Sequence, residues 1–244
     1  MKLLVVLAIV AACGDNARMV KSARDGAAVG TVELSWSNAH VVFGRLPLIV
    51  DAGAQGDFGD LSSGLRRLGA PVSSTRCAVI THAHADHAGT ARALQLAGVK
   101  IIAGAGDVPR TWEGRHGPHN PTGWFARLLK HALPERYKPF VADVIVTDRY
   151  DLAPCGIDGE VLATPGHTPG SVVVLVARGK IALVGDLFRG GLVFTTSPAV
   201  HFYQDDRRAA HAQIRMLLAR GVEWFVLGHG GPIKRSRVAA MFGD

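Results

Sequence analysis

Thr81-His82-Ala83-His84-Ala85-Asp86-His87-Ala88-Gly89 gathers three imidazoles and a carboxylate between positions 82 and 87. An apolar run, Cys77-Ala78-Val79-Ile80, leads into it, and the Ala- and Leu-rich stretch Ala88–Ala97, closed by Gly98, leads away. The pattern predicts a buried strand, a ligand-bearing turn and a helix with glycine after its last turn. Neutral imidazole and carboxylate suit zinc, iron and similar divalent ions. Core packing requires no such grouping, and four polar groups left unpaired at a strand end would be costly. His82 and His84, two apart on an extended segment, point the same way and can bind one ion. Asp86 and His87 fall where the helix begins and turn toward a neighbouring position. Two adjacent metals are therefore expected if the rest of the chain supplies more ligands.

It offers three. His167 lies in Thr164-Pro165-Gly166-His167-Thr168-Pro169-Gly170, Asp186 ends Ala182-Leu183-Val184-Gly185-Asp186, and His229 follows Phe225-Val226-Leu227-Gly228. Each adjoins an apolar, β-like run. H-x-H-x-D-H after a strand, then His, Asp and His in that order, resembles the metallo-β-lactamase superfamily of metallohydrolases, over about residues 30–235.

That resemblance implies an α/β (α+β) fold, a four-layer αββα sandwich with the metals at one edge of its two sheets. It implies that His82, His84 and His167 hold a first metal, that Asp86, His87 and His229 hold a second, and that Asp186 bridges them. Two zinc ions per chain are the expected cofactor, with iron or manganese as the other ions such a site takes. A hydroxide shared by the metals would attack an ester, lactone, thioester or related acyl bond of a small molecule. Asp86 would also take up the proton released. Tyr203, in His201-Phe202-Tyr203, is either a hydrogen-bond donor to the developing oxyanion or a packing aromatic. Asp51, before Gly53, either orients the ligand loop or makes a simple turn.

Residue types narrow the branch. A flavo-diiron relative would carry Glu in place of His84, and true metallo-β-lactamases lack the bridging Asp. The chain is thus more similar to hydroxyacylglutathione hydrolases and lactonases. It ends soon after His229, where the glutathione enzymes continue into a basic substrate-binding region, and an exported protein would meet little glutathione thioester. An ester or lactone is therefore the preferred substrate class. Two other classes stay open: a mononuclear-iron persulfide dioxygenase, which shares the motif, and a non-catalytic zinc-binding lipoprotein. Seven retained ligand-type residues weigh against the second.

At 244 residues with 48% hydrophobic composition, the chain can bury one sizeable core. Residues 1–13 are set apart. Met1-Lys2, the apolar Leu3–Val10 and the small residues Ala11-Ala12 read as a secretory signal. Val10-Ala11-Ala12-Cys13 resembles a lipoprotein lipobox, with a plain cleaved signal as the other reading. The resemblance, with Gly14 after Cys13, implies an exported lipoprotein anchored by Cys13 at the outer membrane. Residues 14–30 read as a polar tether and 31–244 as the metallo-β-lactamase-like domain. The net charge of +7 has no Lys/Arg block longer than two, so no nucleic-acid partner is expected.

Cys77 and Cys155 are expected as buried or free thiols. Gly104–Pro139 carries no readable motif. Trp112 and Trp124 there are either pocket walls or covers over a core edge, and His116 and His119 are not expected as ligands. His201 and His211 are expected at the surface. A hairpin is predicted at Arg178-Gly179-Lys180, and a helix over Asp206–Ala219.

Overall fold

The computed structural model describes residues 9–11, 17–21, 28–129, 135–193 and 195–243. Cys13 and most of the signal-type segment lie outside them. One sheet runs in sequence order: β1 (Ile9–Ala11), β2 (Ala17–Lys21), β3 (Ala28–Glu33), β4 (Asn38–Phe43), β5 (Leu48–Val50), β6 (Cys77–Ile80), β7 (Lys100–Gly104) and β8 (Val144–Val146). It is antiparallel through β5 and parallel from β5 to β8. The second contains β9 (Arg149–Asp151), β10 (Gly159–Ala163), β11 (Val172–Val176), β12 (Ile181–Leu183), β15 (Trp224–Val226) and β16 (Ile233–Lys234). A short ribbon, β13 (Arg189–Gly190) with β14 (Pro198–Ala199), stands beside it.

Alternation along the strands divides the core. In β6, Cys77 and Val79 pack between the sheets, whereas Ala78 and Ile80 face the other way, toward Leu61 and Leu65 of helix α1 (Phe58–Arg67) and Leu94. In β11, Val172, Val174 and Val176 enter the inter-sheet core, and Val173 and Leu175 pack with Ile214 and Leu217. Both strands are buried on both faces, which is why they read as unbroken apolar runs. The layers are helix, sheet, sheet, helix. This is the expected αββα sandwich.

The remaining helices are α2 (Ala85–Ala88), α3 (Ala91–Leu96), α4 (Val108–Glu113), α5 (Trp124–Leu129), α6 (Arg207–Ala219) and α7 (Arg235–Phe242). Helix α6 starts where expected, with Asp206 as its cap: the carboxylate accepts the Ala209 N–H at 2.9 Å. The predicted helix after the metal motif is split into α2 and α3, and Gly98 follows with φ 89°. The hairpin at Arg178-Gly179-Lys180 joins antiparallel β11 and β12.

Strand β3 is interior, paired on both sides by β2 and β4. One expectation needs correction here. Cys77 and Cys155 are joined in a disulfide, with Cα atoms 5.7 Å apart. Cys77 opens β6 in one sheet and Cys155 sits in the turn between β9 and β10 of the other. The bond therefore staples the two sheets through the core, a proximity that a separation of 78 residues conceals in sequence.

Candidate metal centre

The ligand-type residues all sit beyond the C-terminal ends of strands on one edge of the sandwich. Asp51 follows β5, the H-x-H-x-D-H turn follows β6, His167 follows β10, Asp186 follows β12 and His229 follows β15. The two sheets are joined there: the Val172 N–H donates to the Thr81 carbonyl at 2.8 Å, and the Asn38 N–H donates to that of Gly228 at 2.7 Å.

All seven predicted ligand residues converge. His82, His84, His167 and Asp186 form one group of ligand atoms, Asp86, His87 and His229 a second. In the first, His167 Nε2 is 3.0 Å from His84 Nδ1 and 3.7 Å from Asp186 Oδ2, and His82 Nε2 is also 3.7 Å from that oxygen. In the second, His229 Nε2 is 3.3 Å from Asp86 Oδ2 and 3.4 Å from His87 Nε2. Asp186 Oδ2 reaches this group too, 3.2 Å from His229 and 3.4 Å from His87. Tetrahedral zinc with bonds near 2.0 Å separates its ligand atoms by about 3.3 Å. The spacing suits metal ligation.

Hydrogen bonds set which nitrogen of each ring faces inward. The Asp51 carboxylate accepts from Thr81 N–H at 2.7 Å and from the Thr81 hydroxyl at 2.8 Å. That hydroxyl in turn accepts from His82 Nδ1 at 3.0 Å. Asp51 Oδ2 also accepts a hydrogen bond from His87 Nδ1–H, and the Tyr203 carbonyl accepts one from His167 Nδ1–H, each at 2.9 Å. Each of these three rings therefore turns a lone pair on Nε2 into the site. His82 Nε2 and Asp186 Oδ1 are buried with no hydrogen-bond partner. A divalent cation is the chemistry that satisfies such a donor set.

Electrostatics separate the rings. Burial holds His82 and His84 well below the usual histidine range, and holds His167 at about 3, with neighbouring imidazoles adding to the effect. Burial also pulls on His87 and His229, but Asp186 and Asp86 outweigh it and raise both, His229 to about 10. Burial raises Asp86, yet His87 and His229 hold it at about 2.

Asp107, unremarked in the sequence, locks two ligand loops together. Its carboxylate accepts from Ala83 N–H at 2.8 Å, from the Thr168 hydroxyl at 2.7 Å and from Gly170 N–H at 3.2 Å.

His201, expected at the surface, is instead buried with its Nε2 3.0 Å from Asp186 Oδ2. The loop leading to α6 folds over the site and carries it inward. His211 is partly buried against Phe242. His116 and His119 stack with ring centroids 3.8 Å apart, and His119 lies 5.1 Å from the His84 ring. Neither joins a ligand group. Tyr203 is buried beside His119, and its hydroxyl donates to the Ala126 carbonyl at 2.9 Å. Its one proton is committed to the fold. Trp112 and Trp124 are exposed and leave the cavity wall to Trp36. The cavity itself holds about 300 Å³ in front of Asp86, Asp186 and His229, with Trp36, Arg189 and Leu192 among its walls.

Comparison with known proteins agrees with the sandwich fold. The family model for the metallo-beta-lactamase superfamily matches residues 37–229. Hydroxyacylglutathione hydrolase GloC of Haemophilus influenzae is 30% identical over 122 residues, 49% of this chain and 53% of that protein, so the chain spans about half its length. YobT of Bacillus subtilis is 26% identical over 211 residues, 78% of this chain and 83% of that one. Among solved structures, the BLEG-1 B3 metallo-beta-lactamase superposes with a TM-score of 0.62 at 21% identity, covering 88% of this chain and 97% of its own. A metallo-beta-lactamase family protein from Thermus thermophilus gives 0.61 at 20% identity, covering 85% and 73%. The structural matches speak to the fold. With the family model running from ahead of His82 to His229, the protein belongs to the metallo-beta-lactamase superfamily.

Proposed function

We propose that the protein is a hydrolase of small acyl compounds that works with two divalent metals, preferably zinc. His82, His84 and His167 would hold one, Asp86, His87 and His229 the other, and Asp186 would serve both. The observation that carries this reading is the position of Asp186 Oδ2, within 3.7 Å of His82 and His167 and within 3.4 Å of His87 and His229. Bound there, such ions supply Lewis acidity, lowering the pKa of water and polarising an acyl oxygen.

The chain's own residues do the rest. Asp51 and the Tyr203 carbonyl fix the tautomers of His87 and His167, so no ring has to reorient during turnover. Asp107 keeps the loops bearing His84 and His167 at fixed separation. Asp86, 3.3 Å from His229 and 3.6 Å from His87 and lining the cavity, would serve as a ligand and is placed to take up the proton released. The 300 Å³ cavity fits an ester, lactone or short thioester. The similarity to hydroxyacylglutathione hydrolase supports the branch, and the substrate stays within the acyl class.

The signal-type N-terminus supports export with a lipid anchor on Cys13, and the Cys77–Cys155 disulfide is in keeping with an oxidising compartment. Membrane-bound protein that becomes soluble as Cys13→Ser is the expected outcome, and soluble wild type would contradict the anchor. For the activity, zinc-loaded protein should hydrolyse at least one of phenyl acetate, a γ-lactone and an acyl thioester, with Asp186→Asn inactive on all. Equal rates in wild type and Asp186→Asn would overturn the proposal.

A further inference from the structure

Asp186 Oδ2 is crowded. Five imidazole nitrogens face it: Nε2 of His201 at 3.0 Å, of His229 at 3.2 Å, of His87 at 3.4 Å, and of His82 and His167 at 3.7 Å. Four of these rings belong to the two predicted ligand sets. The nearest, His201, belongs to neither, yet its ligand atom lies within 4.8 Å of those of both Asp186 and His229. Its ring also packs as the ligand rings do. The centroid is 4.7 Å from that of His167 and 5.5 Å from that of His229, against 4.4 Å for His82 with His167 and 5.4 Å for His87 with His229.

The loop that carries His201 is tied to the ligand loops. The Asp205 N–H donates to the His167 carbonyl at 3.1 Å, and the Gln204 side-chain amide donates to the carbonyl of Leu187, next to Asp186, at 3.0 Å. The Thr122 hydroxyl donates to the His201 carbonyl at 2.7 Å. The buried ring is therefore held in place from several sides.

Its two nitrogens allow two tautomers. Nδ1 lies 3.1 Å from the Tyr203 carbonyl, the oxygen that already accepts from His167 Nδ1–H, and a proton there turns a lone pair on Nε2 toward Asp186. The Tyr203 N–H also lies 3.3 Å from Nδ1, which suits the opposite form, with Nε2–H donating to Asp186. Asp186 decides between them. A carboxylate oxygen offers two lone pairs. If Oδ2 serves two ions, both pairs are used, and none is left for an N–H at 3.0 Å. A lone pair on Nε2 at that distance from a carboxylate oxygen is repulsive unless a cation touches both.

We propose that His201 is a further metal ligand, adding its Nε2 to the donors of the ion held by His229. This rests on the dinuclear reading above and is tested without turnover.

A paramagnetic ion shifts the N–H resonances of the imidazoles bound to it far from the rest of the proton spectrum. Full chain loaded with Co(II) at both positions should show six such exchangeable resonances, from His82, His84, His87, His167, His229 and His201. His201→Gln keeps an N–H that can donate to Asp186 but loses the imidazole, and should show five. Competition with a chromophoric chelator should find one ion held about a hundredfold or more less tightly in this variant, beyond what an outer hydrogen bond usually contributes. Thermal melts without metal check that it folds, and six resonances in wild type carry the assignment even if it does not. Five resonances in wild type with two ions bound, or two ions held equally tightly in His201→Gln, overturns the role of His201 and leaves the dinuclear centre standing. One ion in wild type contradicts the dinuclear centre. His201 then stands if His201→Gln removes a shifted resonance and falls if it does not.

Discussion

Asp51 Oδ2 lies 2.9 Å from His87 Nδ1, at a backbone φ of 64° that non-glycine residues rarely adopt. The left-handed turn after β5 aims one carboxylate at both Thr81 and His87, and so at both ends of the H-x-H-x-D-H loop. Asp51→Ala should leave the protein folded but lower its metal affinity roughly 10- to 100-fold. Competition with a chromophoric chelator measures this, and unchanged affinity would remove Asp51 from the account.

Gly228 is a second point of close approach. A Cβ there would stand 2.3 Å from Asp186 Oδ1 and 2.5 Å from His87 Cε1. Gly228→Ala must push Asp186 or His87 aside, and a displacement near 1 Å in such a site costs about a hundredfold in rate. Turnover of the ester that wild type cleaves best should fall by that order, with the melting curve largely preserved.

Most of the site was legible because its chemistry is local. Three imidazoles and a carboxylate in one turn are improbable as packing residues, and His167, Asp186 and His229 each end an apolar run that reads as a strand. His201 had no such signal. It lies in an irregular loop, and only the folding of that loop over Asp186 brings it to 3.0 Å. The disulfide was hidden for a related reason, since Cys77 and Cys155 meet only when two separate sheets pack. Helix α7 and strand β16 escaped because β16 is a two-residue strand recognisable only by its pairing with Phe225 and Trp224. The sandwich was implied by the resemblance that these ordered motifs carry, and apolar runs such as Val172–Val176 marked its strands.

The sheet-to-sheet disulfide has a thermodynamic consequence. Closing a loop of 78 residues restricts the unfolded chain, and losing such a bond costs about 2–5 kcal/mol in small extracellular domains. The double variant Cys77→Ala, Cys155→Ala should lose stability in that range by urea denaturation. A difference below about 1 kcal/mol would show that the inter-sheet core suffices alone.

His40, behind the strand end that carries His229, supplies a pH dependence of its own. Its ring is buried between Thr31 Oγ1 at 3.0 Å and the Leu227 carbonyl at 3.1 Å, and burial lowers its pKa to about 4. The unfolded chain, with histidine near 6.5, binds the proton more readily, so stability is complete above that value and falls as pH drops toward 4. At pH 5 the loss from this group is about 2 kcal/mol. Chemical denaturation at pH 7.5 and 5 should show His40→Gln less sensitive to pH than wild type by that order. An identical sensitivity would contradict the assignment.

Metal content tests the central claim most directly. Full chain purified without added metal or chelator should contain two divalent ions, chiefly zinc, and Asp186→Asn should contain fewer while keeping its fold. One iron per chain, undiminished in Asp186→Asn, would contradict the dinuclear hydrolase and favour oxygen chemistry at a single ion.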